Sequence, residues 1–233
     1  MKNTCVALAV LAGAALVGQA NADLIAYWDF NNSQAGTSGS LGVLLPAGFN
    51  AQQGSGTLST NIAVNTNNVT PNGQLGTFAG STVNLLAPSG SGGALVVQNG
   101  ASGLNNGKYI QFSISTLGFG SDLVLTYASQ RTGTGFTDQA ISFSTDGVNF
   151  TSLTTVNGLP SSFGLQTVNF GLADVYNKSN LIVRFTFSGA STSSSSGNNR
   201  IDNVQFNATL IPTPGALALI GLGGLVAARR RRA

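Results

Sequence analysis

The chain has 233 residues, of which 7% are charged, with ten lysines and arginines against seven acidic residues. Half of the basic residues, Lys2 and Arg229 to Arg232, sit at the two ends; between Asp23 and Leu210 only Lys108, Arg131, Lys178, Arg184 and Arg200 face seven aspartates, five against seven, a net −2. That body has no clustered basic face to displace phosphate counterions, which excludes a nucleic-acid binder. The absence of histidine, with Cys5 as the single cysteine, excludes from the body Ser-His-Asp and Cys-His catalysis and imidazole or thiolate metal sites.

Residues 1–22 combine a basic start at Lys2, an apolar run from Cys5 to Val17 and the small-x-small sequence Ala20-Asn21-Ala22. This is the pattern of a secretory signal peptide, and the run is too short for a span that needs about 20 residues. Signal peptidase is therefore the expected first partner, and Asp23 the expected start of the mature chain. Residues 23–210 then suit one domain, either a single large sandwich or a sandwich with a smaller N-terminal lobe. The mature chain has no disulfide, and a domain of this size can bury enough apolar surface without one.

The body contains no Glu and is rich in Gly, Ser, Thr and Asn, a composition that disfavours helices. In chain order, strands are predicted at 24–30, 61–64, 73–78 and 94–98, with long loops between them. A clearer set follows at 108–115, 122–129, 140–144, 148–153, 165–170, 180–187 and 200–206. In the first of these, Ile110, Phe112 and Ile114 alternate with Gln111, Ser113 and Ser115, the period-2 pattern of a strand with one buried face. The strand at 122–129 is apolar on both faces and is predicted to be central. Thr145-Asp146-Gly147 reads as a tight hairpin turn, because Asp-Gly tolerates positive φ. Residues 191–196, nearly all serine, read as a loop before the last strand. Short strands at this spacing predict an all-β antiparallel β-sandwich of jelly-roll or lectin-like type.

Hydrolysis of a glycosidic bond would need two positioned carboxylates, and the spacing of the seven aspartates singles out no pair. Calcium, which takes carboxylate, carbonyl and amide oxygens, stays open as a ligand. Asp202 beside Asn203 is its best candidate, with Asp29 of the first strand as spatial neighbour, and the alternative for Asp202 and Arg200 is turn or strand-edge hydrogen bonds and a surface ion pair. Carbohydrate binding would use exposed rings, and Tyr27, Trp28, Tyr109, Tyr127 and Tyr176 are available. Trp28, inside an apolar strand, is expected in the core. Four glycosylation sequons, at Asn68, Asn149, Asn177 and Asn207, are of the kind that arises by chance in an Asn- and Thr-rich chain.

From Ile211 the composition changes to Ile-Pro-Thr-Pro, then the uncharged apolar run Gly215 to Ala228, then Arg229, Arg230, Arg231 and Arg232. Fourteen helical residues reach about 21 Å, short of a hydrocarbon core of roughly 30 Å, so a short and temporary transmembrane helix is expected. The arginines hold the cytoplasmic side and leave the body outside. A Pro-x-Pro motif, a short Gly-rich apolar helix and an arginine cluster together resemble the PEP-CTERM sorting signal, over residues 211–233. Thr213 between Pro212 and Pro214 stands where that family usually has Glu. The resemblance implies sorting and cleavage by a membrane exosortase. The body is also similar to jelly-roll domains of such exported proteins, through 119–136 and 197–204. The function expected is therefore a non-enzymatic cell-surface or extracellular-matrix protein, membrane-anchored until processed; the alternative is a secreted carbohydrate-binding module, with extracellular polysaccharide as partner and calcium as a structural ion.

Overall fold

Alternation of apolar and polar residues sets the two faces of nearly every strand in the computed structural model, which describes residues 22–33, 41–66 and 73–211. Among these residues there are twelve strands: β1 (Asp23–Trp28), β2 (Gln53–Gly54), β3 (Gly56–Thr60), β4 (Leu75–Ala79), β5 (Gly93–Gln98), β6 (Tyr109–Ile114), β7 (Phe119–Arg131), β8 (Asp138–Ser144), β9 (Thr151–Asn157), β10 (Gly164–Asn169), β11 (Leu181–Ser188) and β12 (Asn198–Leu210). Helical structure is limited to three single 3-10 turns. The segments expected to be a signal peptide and a sorting tail lie, apart from Ala22 and Ile211, outside the described residues, and no described helix is long and apolar enough to cross a membrane.

The strands form two antiparallel sheets. One has five strands in the order β3-β6-β11-β8-β9; the other has seven, running β10-β7-β12-β1-β2, with β5 also pairing β12 and β4 pairing β5. The predicted central strand at 122–129 is indeed flanked on both sides, by β10 and β12. The first half of the chain feeds both sheets, since β3 joins the five-stranded sheet and β1, β2, β4 and β5 the other. The smaller N-terminal lobe is thus not found: the early strands complete the same sandwich.

Between the sheets lies an aromatic core. Trp28 meets Phe112 edge-on at 4.9 Å and Phe206 at 6.1 Å, while Phe185 touches Phe112 at 5.6 Å and Tyr127 at 5.1 Å. Edge-to-face rings add about 0.5–1.5 kcal/mol per pair beyond the area they bury. Trp28 needs a small neighbour across the sandwich, since a Cβ on Gly56 would stand 2.7 Å from its ring.

Two predicted elements are displaced. The strand expected at 61–64 forms instead at Gly56–Thr60, against β6, leaving only an isolated bridge at Val64. The hairpin after β8 is longer than Asp-Gly implied, because β9 starts at Thr151 and the loop spans 145–150. Gly147 does adopt positive φ (78°). Asp146 organises that loop: its carboxylate accepts from Asn149 Nδ2 at 2.7 Å, from the backbone N–H groups of Val148 and Asn149 at 2.8 Å, and from Ser144 Oγ at 2.8 Å. These donors, that of the Asn149 side chain foremost, hold it well below the usual carboxylate range. A self-capped loop of this kind replaces the two-residue turn because one Asx side chain satisfies several backbone donors at once.

β12 divides at its middle. Asn198–Ile201 pair with β5 and Val204–Ala208 with β1 along the same edge, and the register against β7 shifts between Asp202 and Gln205. Asn203 sits at φ 50°, so Asp202 and Asn203 leave the alternation as a β-bulge.

Candidate functional sites on the two sheet faces

The bulge fixes one polar site. Segment 80–92 crosses the outer face of the seven-stranded sheet and is tied down there by side chains. Ser81 N–H donates to Asp202 Oδ2 at 2.7 Å, Asn203 Nδ2 donates to the carbonyls of Ser81 and Val83 at 2.9 Å, and Gln205 Nε2 donates to Asn84 O at 2.6 Å. Tyr27 Oη donates to Asn203 Oδ1 at 2.6 Å and accepts from Leu86 N–H at 3.2 Å. The segment therefore covers the part of this face formed by β1 and β12, where Asp202 is buried to 1% exposure and Asp29 to 6%.

The structure brings the two sequence-predicted calcium candidates together under this cover. Asp202 accepts from the backbone N–H groups of Ser81 and Asn203; Asp29 Oδ1 accepts from Asn31 N–H at 3.0 Å. Burial, and to a smaller extent the nearby Asp29 carboxylate, push the Asp202 pKa up to about 8 against the pull of its two N–H donors. The surface ion pair with Arg200 does not form. Arg200 instead stacks on Phe78, with Cζ 4.2 Å from the ring centroid, and its Nε is buried without a partner. The bulge explains this, since it turns Asp202 under segment 80–92 while Arg200 stays with β4 and β5.

Oxygen atoms gather beside Asp202. A Cβ built on Gly80 would stand 2.8 Å from both Asp202 Oδ2 and Gly93 O, and closer still to Ser91 O. No three acidic, His or Cys side chains gather among the described residues, so a cation here would draw its remaining ligands from backbone carbonyls. The Asp202 carboxylate with these carbonyls, and Asp29 nearby, offers the oxygen chemistry that calcium takes.

The other outer face, on the five-stranded sheet, has no such cover. Its strands point Thr57 and Ser59 of β3, Gln111 and Ser113 of β6, Arg184 of β11 and Ser142 of β8 outward, all exposed or half-buried. Along its β3 side a cleft of ≈ 460 Å³ opens, lined by Asn50, Ser55, Thr57, Ser113, Ser115 and Asn180 among others. Ser113 Oγ donates to Asn180 Oδ1 at 2.5 Å. The polar side chains of the lining are hydroxyls and amides, without a charged group.

Beside the cleft on the same face, Arg184 is held between two rings, its Cζ 4.0 Å from the Tyr109 centroid and 3.5 Å from that of Phe150. Its Nε and Nη2 both donate to Gln111 Oε1, at 3.0 and 2.8 Å. Of the five rings proposed from sequence, Tyr109 is therefore the one on this face. Trp28, Tyr27 and Tyr127 are fully buried, the Tyr127 hydroxyl donating to Gln139 Oε1 at 2.8 Å, with burial raising the pKa of both tyrosines. Tyr176 is half-buried and its hydroxyl accepts from Leu123 N–H at 3.4 Å. Arg184 and Phe150 were not among the sequence candidates. Alternation in β11 does place Arg184 outward, but its rings come from β6 and the 145–150 loop, which only strand order brings together.

No family model matches this sequence, and no curated protein is significantly similar to it. Solved structures do resemble its fold. A tandem CBM22 domain from Paenibacillus barcinonensis aligns at 10% identity over 85% of this chain and 50% of that one, with a TM-score of 0.46. The K2 cleaved adhesin domain of Lys-gingipain aligns at 12% identity over 77% and 96%, with a TM-score of 0.43. A CBM61 in complex with β-1,4-galactotriose aligns at 11% identity over 66% and 88%, with a TM-score of 0.39. At such identities and scores the likeness reaches the antiparallel β-sandwich and nothing finer.

Proposed function

We propose that this chain is an exported, non-catalytic β-sandwich that binds a polysaccharide of the extracellular layer on the open face of its five-stranded sheet. The observation that carries this reading is the cleft beside Ser113 and Asn180, on the same sheet face as the Tyr109-Arg184-Phe150 stack. Dense hydroxyl and amide groups next to ring faces suit a polyol chain, which presents both hydrogen-bonding groups and apolar C–H patches. Catalysis has no comparable support. The aspartates that approach one another, Asp29 and Asp202, are buried beneath segment 80–92, whereas a general acid or base must reach its substrate.

In this reading calcium, when bound, is structural: Asp202 and Asp29 with the carbonyls of Ser91 and Gly93 would hold it, tying segment 80–92 to β1 and β12. Residues 1–22 direct export through signal peptidase, and the tail, with Pro212, Thr213 and Pro214 before the apolar run, serves as an exosortase-processed anchor. Location at the cell surface or in the matrix follows from those two segments.

Native gels containing single polysaccharides test the binding. Retardation of the full-length chain by at least one polymer, the producer's own included, is the expected result; free migration in every gel would overturn the reading. The tail is tested separately by mass spectrometry of the extracellular protein. Loss of Arg229 to Arg232 is expected, and their persistence on the released protein ends the sorting hypothesis.

A further inference from the structure

We infer that the polysaccharide is acidic and that Arg184 receives its carboxylates, an inference that rests on the binding reading above and names the ligand class for the same face. Arginine carries its charge at any working pH and offers five N–H donors in one plane. Here that plane is fixed by Tyr109 on one side and Phe150 on the other. Gln111, a neutral acceptor, takes Nε and one Nη2 donor. Nη1 has no protein partner among the described residues, and no described carboxylate pairs with the guanidinium.

A charge so placed is unusual for a body with more aspartates than cations. Asp146 is engaged by its own loop and Asp138 by the Thr137 hydroxyl. The rings keep water away from two faces of the guanidinium, which strengthens its attraction for an anion arriving at the open edge. They also fix its orientation before the ligand arrives, so less side-chain entropy is lost on binding. A planar carboxylate is the group that such an edge accepts with two parallel hydrogen bonds. The surrounding serines, Gln111 and Asn180 add no negative charge to repel it.

The full-length chain is tested against polygalacturonate and alginate, each beside its methyl-esterified form, which keeps the sugar backbone and removes the charge. Esterification should weaken binding about ten- to hundredfold, the loss expected for a charge-assisted hydrogen-bonded pair, and added salt should weaken only the acidic forms. Arg184→Gln, checked for native folding by circular dichroism, should abolish the preference while leaving binding to the esters. Equal binding of acid and ester by the unmodified chain, or a preference that survives Arg184→Gln, overturns the inference. Retention by neutral polymers alone also overturns it but leaves the binding reading standing, whereas retention by none removes both. Should Arg184→Gln not fold, the acid-to-ester comparison decides alone.

Discussion

Trp28→Ala should cost the domain about 3–5 kcal/mol, the range for emptying a buried aromatic site. The side chain is fully buried, packed edge-on against Phe112 and Phe206 and closed off by Gly56. Those neighbours come from both sheets, so the cavity would open at the centre of the sandwich, where strand pairing limits collapse. At roughly 2–4 °C per kcal/mol for a domain of this length, the melting temperature should fall by about 6–20 °C. Trp28→Phe keeps a ring and loses part of the indole volume with its donation to Phe49 O at 3.4 Å, so its cost should be nearer 1–2 kcal/mol. Polysaccharide retention should be unchanged in Trp28→Phe. A lost retention with an intact melting transition would place Trp28 at the ligand and move the binding face to the other sheet.

The contrast between Trp28 and Tyr109 indicates what the sequence made legible. Strand identity was readable wherever one face is buried, because Ile110, Phe112 and Ile114 or Val183, Phe185 and Phe187 repeat with period 2. The sandwich class followed from that. What the pattern could not contain was pairing. Arg184 and Gln111 are 73 residues apart and meet only because β6 and β11 are neighbours. The 61–64 segment was misread because Ile62, Ala63 and Val64 form a short apolar run, yet the real strand starts at Gly56, a glycine required by the Trp28 ring beside it. The candidate pair Asp29 and Asp202 was legible as oxygen chemistry on the first and last strands. Their burial was not, because it depends on segment 80–92, whose contacts with β12 span more than a hundred residues. Phe150 was assigned to a strand and lies at the end of a loop, where Asp146 rather than strand pairing sets the backbone.

The Asp29–Asp202 site should make stability depend on pH and calcium together. Asp202 has a folded pKa of about 8 against about 3.9 in an unfolded chain. Between those values the folded protein holds a proton that the unfolded chain releases. Without metal, stability is therefore fully present below about pH 4 and falls as pH rises towards 8, by on the order of 4 kcal/mol at pH 7. Asp122 and Asp146, both held low by hydrogen bonds, act in the opposite sense but only in acid, so melting between pH 5 and 8 isolates Asp202. Calcium opposes that fall, since it needs the ionised carboxylate and competes with the proton. At about a hundred times its dissociation constant it should add roughly 2.7 kcal/mol, about 5–10 °C for this domain, with the gain largest at pH 8 and smallest at pH 5. Asp202→Asn keeps an oxygen for one of the two backbone donors and cannot ionise, so it should flatten the pH slope and erase the calcium response in the same protein. Identical melting temperatures at pH 5 and pH 8 after chelation, unchanged by calcium, would remove both the ion and the strained carboxylate. A pH slope that calcium does not touch would keep the buried acid and reject the ion, leaving segment 80–92 held by its hydrogen bonds to Asp202, Asn203 and Gln205 alone.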